Sequence, residues 1–145
     1  PVIDPRVSAT PAFVRQDVVV CGPGHPLASL ASIGLQEICE YPQLLLAKGS
    51  TTRALMDRLL MEQGLVPQVA MEFGSIEVIK KFVAEGLGVA VVAAAELVSA
   101  PVDGLPGRRV GIVQRVGAPA SRASEAFLDT LGAQLEMLGL APLSR

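Results

Sequence analysis

Residues able to do chemistry are few in this chain, and the useful ones gather at two turns. Lys48-Gly49-Ser50-Thr51-Thr52-Arg53 joins an apolar run to an amphipathic one, and Gly74-Ser75 does the same further on. A helix opening at either turn presents free backbone N–H groups and the positive end of its dipole. A glycine lets an oxyanion approach those groups, and a hydroxyl adds a donor. Gly49, Ser50, Thr51, Thr52, Gly74 and Ser75 are therefore candidate ligand-binding residues for a carboxylate or other small anion. Lys48 or Arg53 would add positive charge. The same residues have a plainer use, because Ser and Thr are preferred helix N-caps and need no ligand. Both uses stay open on these residues alone.

Other chemistries find little support. His25 is the single histidine, so any Ser-His-Asp or Cys-His site must use it. It precedes Pro26, which holds it extended, and it reads as a loop or hinge residue. Asp57 with Glu62, or Glu72 with Glu77, would be the carboxylate pairs for acid–base work, but each fits a solvated face equally well. Cys21 and Cys39 make neither a disulfide framework nor, with one histidine, a zinc site; they read as buried reduced thiols. Gly22-Pro23-Gly24 and Gly86-Leu87-Gly88 resemble dinucleotide fingerprints only superficially, since neither follows a strand and opens a helix. No catalytic residue, metal or cofactor is expected.

Composition narrows the class further. Half of the 145 residues are apolar and 18% are charged, which suits a packed core and not a disordered chain. Aromatics are 3%, too few for an aromatic-lined sugar site or for base stacking. The net charge is −2, and the arginines look scattered apart from Arg108-Arg109, so no basic stripe for nucleic acid is legible. No segment reaches the ~18 consecutive apolar residues of a membrane span.

The elements that must position the turns follow from periodicity. Strands are expected at 14–21, 43–47, 68–73, 88–93 and 109–115, and helices at 32–40, 52–63, 75–85 and 121–138. A further turn of helix is expected over 94–99 and a loop over 101–107. Ser32 is the N-cap candidate of the first helix, and Gly64 and Gly86 stop the second and third. Strands alternating with helices imply crossovers and a largely parallel sheet, so the class is α/β with a continuous βαβαβ unit. Both turns then fall at the C-terminal edge of the strands, where ligands of open α/β sheets bind.

The ordered set of motifs resembles one family. Asp17-Val18-Val19-Val20-Cys21-Gly22-Pro23-Gly24-His25-Pro26-Leu27-Ala28 is similar to the strand-to-"HPLA" junction of LysR-type transcriptional regulators. Leu44 to Arg53, the helix end Glu62-Gln63-Gly64-Leu65-Val66-Pro67, and the run Glu72 to Val92 resemble it in the same order, as does Ala126-Phe127-Leu128-Asp129-Thr130-Leu131 near the end. The matches run over roughly residues 14–135. The family often carries Pro after the strand matching Val89–Val92, where this chain has Ala93-Ala94-Ala95.

The resemblance implies an effector-binding domain with a periplasmic-binding-protein-like fold. Its two α/β lobes are joined by crossover strands, and a small molecule, often an anion, sits between them. On that frame residues 1–24 are the end of lobe I and the first crossover strand. Residues 25–100 are lobe II, one complete effector-binding lobe. Residues 101–145 return to an incomplete lobe I with a C-terminal helix, so the chain starts partway through a domain. Helix 121–138 should then expose an apolar face. DNA would be bound only through a separate N-terminal helix-turn-helix domain. A cytoplasmic homo-oligomer, dimer or tetramer, with no membrane contact is implied. The alternatives are a periplasmic solute-binding protein of similar fold and a small α/β enzyme.

Overall fold

The structure is a computed structural model and describes residues 4–93 and 99–138. The chain forms two compact units, Gln16–Pro106 and the pair of end segments Pro1–Arg15 with Gly107–Arg145.

The Gln16–Pro106 unit carries the two turns. Its strands are β2 (Asp17–Val20), β3 (Pro42–Leu46), β4 (Gln68–Phe73), β5 (Ala90–Ala93) and β6 (Ser99–Pro101). Its helices are α1 (Leu35–Cys39), α2 (Thr51–Glu62) and α3 (Ile76–Ala84), with a short 3-10 turn over Pro26–Ser29. β3 and β4 pair in parallel, with Leu46 opposite Phe73 at the end of the ladder. β5 follows on the other side of β3 through a parallel Gln43–Val89 bridge, closed by Leu44 N–H to Val89 C=O and Val89 N–H to Pro42 C=O, both 2.9 Å. The βαβαβ unit is therefore present. The sheet is less parallel than expected, because β2 lies between β5 and β6 and runs antiparallel to both.

The sheet buries both faces, as its Val- and Leu-rich strands require. Alternate residues of β2 show this: Val19 packs with Leu27, Ile33, Ile38, Met56 and Leu60 on the α1–α2 side, and Val20 with Leu44, Ile79, Val83 and Val92 on the α3 side. The helices dock through apolar positions at helical spacing. Met56 and Leu60 of α2 and Ile79 and Val83 of α3 are buried, with Leu55, Leu59, Ile76 and Phe82 half-buried beside them.

Several element boundaries move for local reasons. The expected helix over 32–40 shortens to Leu35–Cys39, because Ile33 is held extended in a parallel bridge with Val102. Gly34 then takes the N-cap position, and the Ser32 hydroxyl instead donates to the Asp103 carboxylate. The expected strand over 14–21 is two strands with Gln16 between them, β2 and the longer β1 (Val7–Arg15). The expected turn of helix over 94–99 lies outside the described residues, apart from Ser99, which opens β6.

In the unit built from the chain ends, β1 pairs antiparallel with β7 (Arg108–Arg115), from Val7 opposite Arg115 to Arg15 opposite Arg108, across a bulge at Pro11–Phe13. Helix α4 (Arg122–Met137) follows, capped by Ser121, whose hydroxyl oxygen accepts from the Ser124 backbone N–H at 3.1 Å. Along it Leu135 is buried and Leu131 half-buried, while Ala126, Phe127 and Leu138 are exposed.

Candidate functional site

The two turns expected to hold a ligand stand side by side. Each follows one strand of the β3–β4 pair, and the Ala47 backbone N–H donates to Phe73 C=O at 2.8 Å just past the ladder. The Gly49–Thr52 turn opens α2 and the Gly74–Ser75 turn opens α3. Parallel pairing with short loops brings both helix starts to one sheet edge, as the crossover rule requires.

Within the first turn the residues divide by role. Gly49 takes φ +104, a conformation costly for a residue with Cβ, and nothing lies within 4 Å of where a Cβ would stand. Ser50 is the N-cap of α2, its hydroxyl oxygen accepting from the Arg53 backbone N–H at 3.0 Å. Thr51 is exposed at the first helical position. Thr52 is buried, and its hydroxyl donates to the Asp17 carboxylate at 3.2 Å. In this structure the plainer use of Ser50 and Thr52 is thus visible: a cap and an internal tether. Gly74 and Ser75 are both exposed, and Ser75, the N-cap of α3, makes no side-chain cap bond.

The charges near the turn are largely internal. Arg53 is 8% exposed; its Nε donates to both Asp57 oxygens at 2.8 and 3.0 Å, and one Nη to Leu46 C=O at 3.0 Å, while Glu72 stands at 3.1 Å. The Asp57 bond above all, and Glu72 after it, raise the Arg53 pKa further above its usual value against the opposing effect of burial. Arg53 thus pins the start of α2 to the ends of β3 and β4 with partners of its own. Lys48 is exposed. Beneath the turn lies a cavity of about 10 Å³ bordered by Thr52, Arg53 and Met56. That is at most room for one water, so a metabolite would have to sit on the outer side of the turn.

Asp17 is the residue that the sequence reading passed over. It is 3% exposed at the start of β2, and it ties that strand to the first turn of α2 through Thr52. The signal was available: a lone acid leading an all-apolar run, Val18-Val19-Val20, is either a strand end or a buried carboxylate with partners.

The other candidates resolve as structure. His25 caps the 3-10 turn, its Nδ1 accepting from Leu27 N–H at 3.2 Å, and its ring packs edge-on against Tyr41 at 4.5 Å. The carboxylates weighed for acid–base work face cations: Asp57 and Glu72 face Arg53, Glu62 faces Arg58 at 3.8 Å, and Glu77 faces Lys80 at 2.9 Å. Cys21 is buried, Cys39 half-buried, and burial pushes both thiols up, away from the thiolate. Among the described residues no cluster of three His, Cys, Asp or Glu side chains suits a metal ion, and no helix is long and apolar enough to cross a membrane.

Comparison with known proteins gives consistent results. The family model described as the LysR substrate binding domain matches residues 1–136. The RuBisCO operon transcriptional regulator of Allochromatium vinosum is 34% identical over 122 residues, which is 77% of this chain and 40% of that regulator. Among solved structures, HinK, a LysR family transcriptional regulator from Pseudomonas aeruginosa, superposes with a TM-score of 0.80 at 21% identity, over 94% of this chain and 50% of that one. The regulatory domain of CcmR from Synechocystis PCC6803, solved in complex with 2-PG, superposes at 0.74 with 26% identity, over 92% of this chain and 69% of that one.

Proposed function

The chain belongs to the family of LysR substrate-binding domains, and on that premise we propose that it is the effector-sensing part of a bacterial transcriptional regulator. It takes a small oxyanionic metabolite at the exposed side of the Gly49–Thr52 and Gly74–Ser75 turns, and the bound state controls DNA contact made by a separate helix-turn-helix domain. The chain spans 40% of the RuBisCO operon regulator it matches, so these whole-protein roles belong to this reading. The reading includes no catalysis, metal or cofactor, and it places a homo-oligomer in the cytoplasm, away from membranes.

The observation that carries it is the adjacency of the two turns. Two helix starts at one edge of a parallel pair turn the positive ends of two dipoles toward one ligand. Exposed Thr51, Gly74 and Ser75 give the outer surface its hydroxyls and its close approach. The bound 2-PG in the CcmR regulatory domain lends support to a small anionic ligand class.

The test is a thermal-shift screen of small carboxylates and phosphorylated acids, since a ligand of the folded state raises the melting temperature by mass action. The hit is then titrated calorimetrically against S50A/T51A and S75A. Loss of about tenfold in affinity is expected for each removed charge-assisted bond. Unchanged affinity in both variants would place the ligand elsewhere.

A further inference from the structure

Among the described residues, the buried polar or charged side chains are Asp17, Gln43, Thr52 and Arg53. They gather in one place. Gln43, Thr52 and Arg53 border the small cavity under the Gly49–Thr52 turn, and Asp17 bonds to Thr52. Burying such groups is unfavourable unless partners satisfy them, so a fold that collects them under one turn is holding that turn in one position. Arg53 ties together more elements than the others. Its backbone N–H donates to the Ser50 cap hydroxyl at 3.0 Å, and its Nη1 donates to Leu46 C=O at 3.0 Å, at the end of β3. The same nitrogen stands 3.1 Å from Glu72. Glu72 lies opposite Leu45 on the ladder, near the end of β4 and just before Gly74. One guanidinium thus joins the cap of α2 to the ends of both strands.

On the reading of the two turns as one ligand site, on which this proposal rests, the gap between the helix starts must be fixed to about 0.5 Å. The Ala47–Phe73 bond aligns the strand ends at 2.8 Å, but it stops short of the Ser50 cap of α2. We propose that the Arg53–Glu72 pair is the clamp that sets the spacing of the two turns, so that both are positioning residues and neither touches the ligand. Two carboxylates, Asp57 and Glu72, face the one guanidinium, so its charge is matched within the chain. The planar fork matters here. It lets Nε serve Asp57 while Nη1 serves Leu46 and Glu72, which the single ammonium of a lysine could not do. The Glu72 end of the pair is 42% exposed, so losing it costs the fold little. A tie of that strength does not hold the fold together, but it does decide between two close positions of α2.

The test compares E72Q with D57N. Each variant takes one carboxylate from Arg53 and changes the net charge equally, but only E72Q cuts the tie to β4. Amide hydrogen exchange at Ala47, followed by NMR on the full chain, reports the joint without any ligand. E72Q should speed it about threefold or more while melting close to wild type, and D57N should leave it unchanged. Inorganic phosphate is then the ligand probe, followed at the amides of Gly49–Thr52 and Gly74–Ser75. In the wild type both turns should shift with one dissociation constant. In E72Q they should part, with binding weaker by about threefold or more, while D57N should follow the wild type. Unchanged Ala47 exchange in E72Q, or an equal rise in D57N, would overturn the clamp. So would phosphate affinity that stays at the wild-type value in E72Q. Faster exchange in E72Q, with no phosphate shift at either turn in any chain, would keep the clamp and sink the two-turn ligand reading instead. Should E72Q fail to fold, E72D keeps the charge but falls one methylene short. It should show the same rise at Ala47, and wild-type exchange there would overturn the clamp.

Discussion

The hydroxyl of Thr52 separates what a residue type permits from what a position allows. Ser50, Thr51 and Thr52 are chemically alike, yet only Thr51 is exposed, while Thr52 is 5% exposed and donates to a carboxylate that is itself 3% exposed. A buried carboxylate draws much of its tolerance from such donors, because each one offsets part of its lost hydration. Thr52→Val keeps the shape and removes one donor to Asp17. It should destabilise the fold by about 1–3 kcal/mol, the usual effect of withdrawing a partner from a buried charged group. Thr52→Ser retains the donor and should lose less. Urea melts of the two variants check this, and a larger loss in Thr52→Ser than in Thr52→Val would mean that packing of the methyl group, not the hydrogen bond, holds the site.

At the scale of elements, the joint between β3 and β5 is the least forgiving. It rests on the Gln43–Val89 bridge, and Gly88 sits beside it at φ +154, where an added Cβ would stand 2.5 Å from Pro42 C=O. Gly88→Ala must therefore move backbone that carries the bridge, and should cost about 2 kcal/mol or more from strain and overlap together. Denaturant melts check it, and a neutral Gly88→Ala would mean that the joint gives way cheaply. Gly88 also shows where sequence reading runs out. Helix and strand identity were legible wherever apolar spacing was regular, as at Met56, Leu60, Ile79 and Val83. The adjacency of the two turns was legible too, because crossover handedness leaves a parallel pair one arrangement. What pairing across long separations decides was not legible. The antiparallel setting of β2, the bridge that holds Ile33 extended, and the meeting of Arg15 with Arg108 each depend on partners about 70 or more residues away. No local periodicity records such a partner.

The whole molecule raises the question of which stretch of chain folds as a piece. The Gln16–Pro106 unit is continuous in sequence and owns both apolar clusters, whose outermost members along the chain are Val19 and Leu105. The other unit is discontinuous, and β1 has its ladder partner β7 more than ninety residues away. A fragment of residues 16–106 should therefore fold alone, with a cooperative thermal transition by circular dichroism and dispersed amide resonances, since it keeps β2 between β5 and β6 and both buried faces of the sheet. A fragment of residues 25–100, the span implied for the effector lobe by family resemblance, lacks β2 and also loses Val102 and Leu105. Removing the strand between β5 and β6 strips Val19 and Val20 from the two clusters at once, and the fragment should show no cooperative transition. Folding of 25–100 with the stability of 16–106 would mean that β2 is dispensable, and would restore the narrower lobe. Folding of neither would tie the lobe's stability to the segments 1–15 and 107–145, and the ligand screen would then need the full chain.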